Sequence, residues 1–388
     1  DPTVLERYEL GKNKDGKVRS VSKEVLFIEM ILRRLKPGGR AGLVLPAGIF
    51  NNPSMKHVRD YIKSHSKIIG LVGIPHLAFQ ISGANNEGHL LLLEKVDDVP
   101  DDYPIFIDWA TAVGIDSIGQ KIDQNDLIGI AERFHNPPAR NIIRFRQLKE
   151  RIDPWYYHPN YARIIEHLSV PGHPWRKMRE IFSESPERVD RDSLKKGETV
   201  RYIEKNNVDL EAGVIHSFSE HTASSLPGRA TYVLRENDVL FPDIYDSMRG
   251  VAVVPPEYAG YICTNRFFVL RHNPELISLD FIRHIFKRPE ILALIKRECS
   301  GEINPGISKR AFFNLRLPIP PLDEQERVLS QVREIEQQKL DLYRRIEELN
   351  RRIDERLSVA VPDLIGNYED IKIVRAEYIG SVQLGDGS

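Results

Sequence analysis

The segment from Asp323 to Arg356 contains neither glycine nor proline, and it constrains the fold of this 388-residue chain more than any other feature. Apolar residues recur there in alternating steps of four and three, the heptad spacing of a helix that packs along another helix. The seam positions are 328, 332, 335, 339, 342, 346, 349 and 353, all Val, Ile or Leu except Lys339. The pattern predicts a coiled-coil-type spacer helix over residues 322–357. The alternative is an ordinary amphipathic surface helix.

The bulk composition narrows the class of protein. The formal net charge is −1, so any binding to DNA requires local clusters of Lys and Arg. The two cysteines, Cys263 and Cys299, cannot form a disulfide framework or a metal cluster, and they favour a reducing, cytoplasmic location. The apolar runs are too short to span a bilayer and no signal peptide is evident, so we expect no membrane partner. The chain begins at Asp1 and not at Met, which suggests a fragment.

Residues 1–98 show alternating helix and strand patterns. Ser22 is a candidate N-cap of a helix that runs to about Leu35, and Pro37-Gly38-Gly39 ends it. Arg40–Pro46 is a short apolar run between turn residues, typical of a buried parallel strand. A helix at 58–64 and buried strands at 68–74 and 89–95 follow. The last two strands have no helix between them, which predicts antiparallel neighbours at the edge of an open α/β sheet.

The remainder of the chain divides by composition. Residues 99–150, with a strand candidate at 105–109 and a helix candidate near 123–134, are expected to be a connector packed on the first domain. Residues 151–321 contain many short strand candidates followed by two helices, which predicts a mixed α/β domain. The tail, residues 358–388, has no readable role. The predicted fold class is therefore α/β, with two globular parts and a long helix.

Motifs in residues 1–98 carry a family resemblance. They are Leu26-Phe27-Ile28-Glu29, the turn from Leu35 to Arg40, Leu45-Pro46, and His76-Leu77-Ala78-Phe79 before the third strand. In this order and spacing they resemble the N6-adenine DNA methyltransferases, in particular the methylase subunit of type I restriction–modification systems. The resemblance implies the second half of a Rossmann-like sheet. The alternative is the corresponding part of a methyltransferase with another substrate class.

Two residue roles follow from that resemblance. Phe27 matches the aromatic that borders the adenine of the cofactor S-adenosylmethionine. Phe79 matches the aromatic that stacks on the flipped target adenine, because an enzyme that extrudes a base must offer replacement stacking. For each residue the alternative is a core phenylalanine.

The chain departs from the family pattern at the catalytic motifs. The glycine-rich loop for S-adenosylmethionine and the Asn/Asp-Pro-Pro-aromatic motif are both missing, and we expect them to precede residue 1 in chain order. Asn136-Pro137-Pro138-Ala139 lacks the aromatic and follows the last sheet strand, so it does not replace them. No catalytic residue is assigned to this chain, and we expect it to be inactive alone.

Residues 151–357 resemble the specificity subunit of type I systems, or the fused recognition domain of single-chain restriction–methylation enzymes. The most specific motif is Leu317-Pro318-Ile319-Pro320-Pro321-Leu322-Asp323-Glu324-Gln325-Glu326, which joins a recognition domain to its spacer helix. The resemblance implies double-stranded DNA as a partner, together with a methylase half or subunit. It also implies a second specificity half bound through the 322–357 helix, and a restriction subunit.

Candidate DNA contacts lie on three loops, residues 217–229, 243–249 and 300–310. From Ile285 to Arg316 there are seven Lys or Arg against three Glu, a local net charge of +4. We expect Arg229, Arg249, Lys309 and Arg310 to contact phosphates or base edges, and Asn304 and Ser308 to offer hydrogen bonds to bases. The alternative for each is a solvated surface.

The sequence as a whole predicts part of a sequence-specific N6-adenine DNA methyltransferase joined to its recognition domain. One alternative is a non-catalytic specificity module that docks a separate methylase, and another is a coiled-coil assembly protein without a DNA role. Pro362-Asp363 with Asp370-Ile371-Lys372 fits a metal-nuclease pattern only superficially, because the tail is too small for such a domain.

Overall fold

The computed structural model describes residues 2–80, 87–116, 118–195, 197–209, 212–301 and 304–360. The chain divides into two compact units, residues 1–326 and residues 327–388. The residues from 361 onward, including the Pro362-Asp363 pattern, lie outside the described residues. The predicted α/β fold class is confirmed, and the predicted long helix is present.

Helices and strands alternate in the first part of the chain and mix in the second. The described α-helices are α1 (Pro2–Leu5), α2 (Lys23–Arg34), α3 (Ala47–Asn51), α4 (Lys56–His65), α5 (Leu77–Gln80), α6 (Asp126–His135), α7 (Pro159–Leu168), α8 (Met178–Ile181), α9 (Leu279–Ile285), α10 (Pro289–Glu298), α11 (Lys309–Asn314) and α12 (Leu322–Ala360). The strands are β1 (Arg40–Pro46), β2 (Ser66–Ile74), β3 (Gly88–Lys95), β4 (Pro104–Trp109), β5 (Val113–Ile115), β6 (Lys121–Asn125), β7 (Ile142–Arg144), β8 (Trp175–Lys177), β9 (Phe182–Glu184), β10 (Thr199–Ile203), β11 (Val208–Asp209), β12 (Val214–Ile215), β13 (Ser219–Thr222), β14 (Ala230–Val233), β15 (Val239–Pro242), β16 (Ala252–Val253), β17 (Ile262–Thr264), β18 (Phe267–His272) and β19 (Arg316–Pro318).

The first sheet has the strand order β1-β3-β2-β4-β7. Strand β3 is antiparallel to both β1 and β2, whereas β2 and β4 are parallel. The prediction that β2 and β3 are antiparallel neighbours is confirmed, but their predicted position at the sheet edge is wrong. Residues 90–93 are four consecutive leucines, which present apolar side chains to both faces of the sheet and favour an interior strand. Part of the region expected to be a connector, β4 and β7, lies in this sheet.

Helices cover both faces of the first sheet. On one face, α2 and α4 bury Ile28, Leu32 and Ile62 in a core that includes Leu71, Leu91 and Ile105. On the other face, Ile130 of α6 is buried with Val72 and Phe106. Adjacent residues such as Leu71 and Val72 belong to opposite cores, because side chains alternate along a strand.

Strand β1 is an edge strand with an open side. The prediction of a buried parallel strand is wrong at this point, since β1 pairs only with β3 among the described residues, and in antiparallel register. Val44, at its middle, is 55% exposed. An apolar strand with an unpaired edge exposes a row of backbone donors and acceptors that another strand can satisfy.

A buried carboxylate ties the amino-terminal segment to α2. Glu29 is fully buried and accepts hydrogen bonds from the backbone amides of Glu9 and Leu10, each at 2.8 Å. Arg33, one helical turn later, lies 2.5 Å from the same carboxylate. Ser22 occupies the N-cap position as predicted, but its side chain makes no capping hydrogen bond to the backbone.

The part of the first unit from Trp175 onward is built on two four-stranded sheets, β13-β10-β17-β14 and β16-β15-β18-β9. Side chains alternate between the two faces of β15 and β18, so these strands lie between two cores. Leu240 and Val269 face a core shared with the first of these sheets, whereas Phe241 and Phe268 face the helices α8 to α11. This arrangement agrees with the mixed α/β domain expected for this region.

Gln325 fixes the start of α12 to this domain. Its side chain is fully buried and donates to the carbonyls of Leu276 and Pro320, each at 2.8 Å, while its oxygen accepts from the Ser278 amide at 3.0 Å. All the hydrogen-bonding atoms of the amide are therefore used. This explains physically why the Pro-Pro-Leu-Asp-Glu-Gln segment is so specific a motif.

Candidate functional site

Phe79 lies at the carboxyl edge of the first sheet. Strands β1 and β2 are both antiparallel to β3, so both end at the edge where β3 begins. Helix α5 carries Phe79 to this edge, where its ring rests on Gly88. A Cβ atom at Gly88 would lie 2.8 Å from two ring carbons, so only glycine lets the ring approach. Phe79 is half-buried and is not enclosed in a core.

Two tryptophans flank the end of β2, and the sequence analysis assigned them no role. A Cβ atom at Gly73 would lie 3.1 Å from Nε1 of Trp155 and 3.2 Å from Cδ1 of Trp109. Trp109 donates from Nε1 to the Pro154 carbonyl at 2.7 Å, and its ring meets His158 edge-on. The aromatic run Trp155-Tyr156-Tyr157 was the available signal for this cluster.

His89 is the buried histidine of this edge. It is 1% exposed, and the Phe50 ring meets it edge-on at a centroid distance of 5.0 Å. Burial lowers the pKa of His89 to about 4, although the nearby Asp153 carboxylate opposes the shift. His89 is therefore neutral at pH 7, and its Nδ1 is buried without a hydrogen-bond partner among the described residues.

Phe27 lies on α2 with its ring 54% exposed. Its neighbours Val25 and Ile28 are buried, so the core-phenylalanine alternative does not describe it. An exposed aromatic can border an adenine ring, but it gives one wall only. Glu29 on the same helix is committed to Glu9, Leu10 and Arg33. The described residues around Phe27 do not by themselves form a site that fits S-adenosylmethionine.

The predicted DNA contacts lie on the second part of the first unit. Arg229 precedes β14, Arg249 precedes β16, and both are exposed. Asn304 is exposed between the residue pair 302–303, which is not described, and α11. The loops at 243–249 and 300–310 are held together, since the amide of Tyr245 donates to the Pro305 carbonyl at 2.9 Å and that of Ile307 to Asp243 at 2.9 Å.

Residues 308–310 form the start of α11, and each has a different environment. Ser308 is the N-cap, and its hydroxyl accepts a hydrogen bond from the Ala311 amide at 3.2 Å. The Lys309 ammonium lies 2.5 Å from a Glu184 carboxylate oxygen and 2.9 Å from the Tyr232 hydroxyl, and these contacts raise its pKa against the effect of burial. Arg310 is 81% exposed, with its guanidinium 3.6 Å from Glu150. Arg310 is thus the more accessible of the two cations.

Two general findings apply to the part of the chain that is described. No helix there is long and apolar enough to cross a membrane. Nor do three or more His, Cys, Asp or Glu side chains in those ranges come together in a geometry that could hold a metal ion. Burial raises the pKa of both cysteine thiols, Cys263 and Cys299, which makes them poor nucleophiles.

Comparison with protein families gives two matches in one chain. Residues 6–153 match the family described as N-6 DNA Methylase, and residues 176–351 match the type I restriction modification DNA specificity domain. The chain therefore joins a segment of the DNA methylase type to a specificity domain of the restriction–modification type. No curated protein matches the chain.

Several solved structures are similar to parts of the chain. The HsdS subunit from Thermoanaerobacter tengcongensis is 26% identical with a TM-score of 0.40, over 49% of this chain and 48% of that one. A modification subunit of a putative type I restriction enzyme from Vibrio vulnificus YJ016 is 18% identical with a TM-score of 0.29, over 40% of this chain and 37% of that one. The type IIG restriction endonuclease BpuSI is 10% identical with a TM-score of 0.37, over 85% of this chain and 46% of that one. The chain thus spans about half the length, or less, of each of these structures.

Proposed function

We propose that this chain is part of a sequence-specific N6-adenine DNA methyltransferase of a restriction–modification system. The observation that carries the proposal is the presence of both family matches, DNA methylase and type I specificity domain, in one polypeptide. In the intact enzyme a methyl group would pass from S-adenosylmethionine to N6 of an adenine extruded from the duplex.

The open edge of β1 supports a division of the catalytic domain. A half sheet with an unpaired apolar edge strand is expected to accept the strands of a complementary methylase half. That half, supplied by a second chain or by further sequence, would bring the glycine-rich loop and the Asn-Pro-Pro-aromatic motif. It would also complete the cofactor site, in which S-adenosylmethionine supplies the methyl group and Phe27 forms one wall. Phe79 would stack on the extruded base.

Reading of the DNA sequence is assigned to the second part of the chain. Arg229, Arg249 and Arg310 are exposed cations on loops or a helix start, where phosphates and base edges can reach them. Lys309 is a weaker candidate, because Glu184 already neutralises its charge. The exposed seam of α12 would bind a second specificity half or a methylase subunit, and a restriction subunit completes the expected partners.

Reconstitution tests the catalytic proposal. The chain is mixed with a complementary methylase half, and transfer of labelled methyl groups from S-adenosylmethionine to duplexes with varied sequences is measured. Sequence-specific transfer to adenine supports the proposal. Duplex binding without any transfer by the mixture supports the alternative, a specificity module that docks a separate methylase. A chain that binds no duplex contradicts both.

Substitution of Phe79 and of Phe27 tests the roles proposed for these two side chains. Phe79→Ala in the reconstituted enzyme is expected to lower the rate of methyl transfer by about tenfold or more, since base stacking on an aromatic is worth about 1–3 kcal/mol. Phe27→Ala is expected to raise the KM for S-adenosylmethionine and to leave duplex binding unchanged. Equal turnover of wild type and Phe79→Ala rejects the stacking role.

A further inference from the structure

A cleft of about 820 Å³ lies where the methylase-type part meets the recognition part of the first unit. We name it the joint cleft. One wall is formed by Asn51, Arg59 and residues 149–151, and the other by Trp175, residues 297–300 and residues 308–316. Both walls belong to the same compact unit. The proposed function uses only Arg310, at the rim of this cleft.

The lining of the joint cleft is strongly basic. Its described cations outnumber its carboxylates by six to two. The cations are Arg59, Lys149, Arg151, Arg297, Arg310 and Arg316, and the carboxylates are Glu150 and Glu298. Burial raises the pKa of the Glu298 carboxyl group, which favours its neutral, protonated form. A concave surface with charge of one sign concentrates counter-ions of the opposite sign.

Arg151 is paired with Asp153, but the guanidinium groups of Arg59 and Arg297 are not neutralised. Arg59 is 1% exposed, and its donors go to the backbone carbonyls of Ile49, Asn52 and Glu150 at 2.6–2.9 Å. Arg297 donates to the Tyr156 carbonyl at 3.0 Å and lies over the Tyr156 ring. Neither forms an ion pair with a carboxylate of the described residues. Carbonyl oxygens and ring faces provide favourable contacts for these two guanidinium groups, but they carry no net negative charge that would cancel the positive charge.

Two cations at the rim are free to meet a ligand. Lys149 and Arg316 are exposed, and neither side chain is paired with a carboxylate within the described ranges. They come from opposite walls, since Lys149 precedes Arg151 of the methylase-type part and Arg316 begins β19 of the recognition part. An anion between them would bridge the two parts of the unit.

Apolar and aromatic groups complete the lining. Trp175 offers a ring surface, and Ile165, Leu294 and Leu315 offer aliphatic ones, whereas Arg151 and Arg297 already lie over the Tyr156 ring. A volume of about 820 Å³ falls within the range of roughly 300–1,000 Å³ typical of small-ligand sites. A sulfonium cofactor carries positive charge and is repelled by this lining.

We propose that the joint cleft binds a nucleoside polyphosphate, with its phosphates between Lys149 and Arg316 above the buried guanidiniums and its base against the Trp175 ring. This site is separate from methyl transfer, and it shares only Arg310, at its rim, with the proposed duplex contacts. Because each wall comes from a different part of the unit, bound nucleotide ties the sequence reader to the methylase-type part. It therefore stabilises the folded unit as a whole.

Calorimetric titration of the full chain with ATP, and with pyrophosphate as a base-free probe, tests the site. Wild type is expected to bind ATP more tightly than pyrophosphate. The double variant Lys149→Ala/Arg316→Ala is expected to bind both about tenfold more weakly, or worse, since each charge-assisted hydrogen bond is a strong one. The matched control, Arg34→Ala/Lys36→Ala, removes two exposed cations of α2 and its following turn and is expected to bind like wild type. Absence of ATP binding by wild type, or equal binding by both double variants, overturns the proposal.

Competition with duplex separates this site from the proposed function. Saturating duplex is expected to leave the apparent Kd for ATP unchanged, and Lys149→Ala/Arg316→Ala is expected to retain duplex affinity. Competitive displacement of ATP by duplex would place the cleft on the DNA path and would contradict the nucleotide site. Duplex binding without nucleotide reports on the proposed function alone, so the two failures are distinguishable.

Discussion

At the residue scale, two polar side chains are buried at a cost in free energy, and the sequence does not reveal that they are buried. His89 and Glu29 are both enclosed, and the two side chains are accommodated in different ways. The Glu29 carboxylate is paired with Arg33 and two amides, whereas His89 loses its proton because burial penalises the charged form.

The pH dependence of stability follows from His89. Its pKa is about 4 in the folded chain, below the value of about 6.5 for an unfolded histidine. Stability from neutral His89 is therefore complete above about pH 6.5 and is lost as the pH falls toward 4, by about 3 kcal/mol in total. Urea unfolding of His89→Asn at pH 7, 5 and 4 is expected to show a correspondingly flatter pH dependence than wild type. The control His76→Asn, at an exposed position, should follow wild type, and identical slopes for all three proteins would contradict this account.

At the scale of elements, the two exposed apolar features are β1 and α12. Strand β1 has the apolar pattern of an interior strand and α12 has an apolar seam along one side, and in the described residues each of these apolar surfaces is uncovered. Exposed seam residues on α12 include Ile335, Leu342 and Ile346, at 65%, 62% and 50%. Such stripes are typical of interfaces between chains.

The edge of β1 can be blocked without unfolding the sheet. Val44 is 55% exposed, so Val44→Asp is expected to change the free energy of unfolding by about 0.5 kcal/mol or less. Its charge should weaken association with a methylase half by about tenfold or more, because edge charges oppose strand addition. Sedimentation of the mixture measures this. Val170→Asp, at a similarly exposed position outside the sheet, is the control and should associate like wild type.

A single substitution that introduces a charge tests whether the seam of α12 binds another helix. Leu342→Asp is expected to abolish self-association or docking through this helix, since a seam position becomes a buried charge in the complex. Arg344→Asp alters the charge on another side of the same helix and should have little effect. Light scattering after size-exclusion chromatography gives the mass of each species. Identical masses for wild type and both variants, alone and with a methylase subunit, would exclude a role for the seam.

At the scale of the whole molecule, Arg151 joins the two parts of the first unit. Its Nη1 donates to the carbonyls of Arg297 and Cys299 at 2.8 and 2.7 Å, and its Nε donates to Asp153 at 2.7 Å. Asp153 is 2% exposed, so it depends on Arg151 to balance its charge. Ile152, between them, is buried in the core of the first sheet.

Loss of the Arg151 side chain is therefore expected to weaken the coupling between the two parts when the chain unfolds. Arg151→Met is expected to lower the free energy of unfolding by about 3–5 kcal/mol, because it leaves a buried carboxylate unpaired. Urea unfolding followed by fluorescence should then show less cooperative behaviour. Arg151→Met/Asp153→Asn should recover part of the loss, since it removes the orphaned charge. A loss no larger than that of the exposed Arg146→Met would show that Arg151 does not hold the joint.

Local patterns predicted most of the elements. The helix at 22–35, the strands at 40–46, 68–74, 89–95 and 105–109, and the long helix at 322–357 all lie where periodicity and turn residues placed them. The burial of each strand and the identity of its neighbours were harder to predict from the sequence. Strand β1, for example, has the pattern of an interior strand and yet lies at an edge. The roles of Phe27, Phe79 and the DNA-contact candidates remain predictions. The structure distinguishes Arg310, which is 81% exposed and 3.6 Å from Glu150, from Lys309, which is 44% exposed and 2.5 Å from Glu184.

The sequence by itself determined the α/β class, the long helix and the two family resemblances, because hydrophobic period and short motifs are local properties of the chain. Only the tertiary structure decided that β3 inserts between β1 and β2, that tryptophans cover Gly73, and that cations distant in sequence line one cleft. Strand order and charge clustering depend on contacts between distant segments. No local pattern records which segment will fill the space beside another.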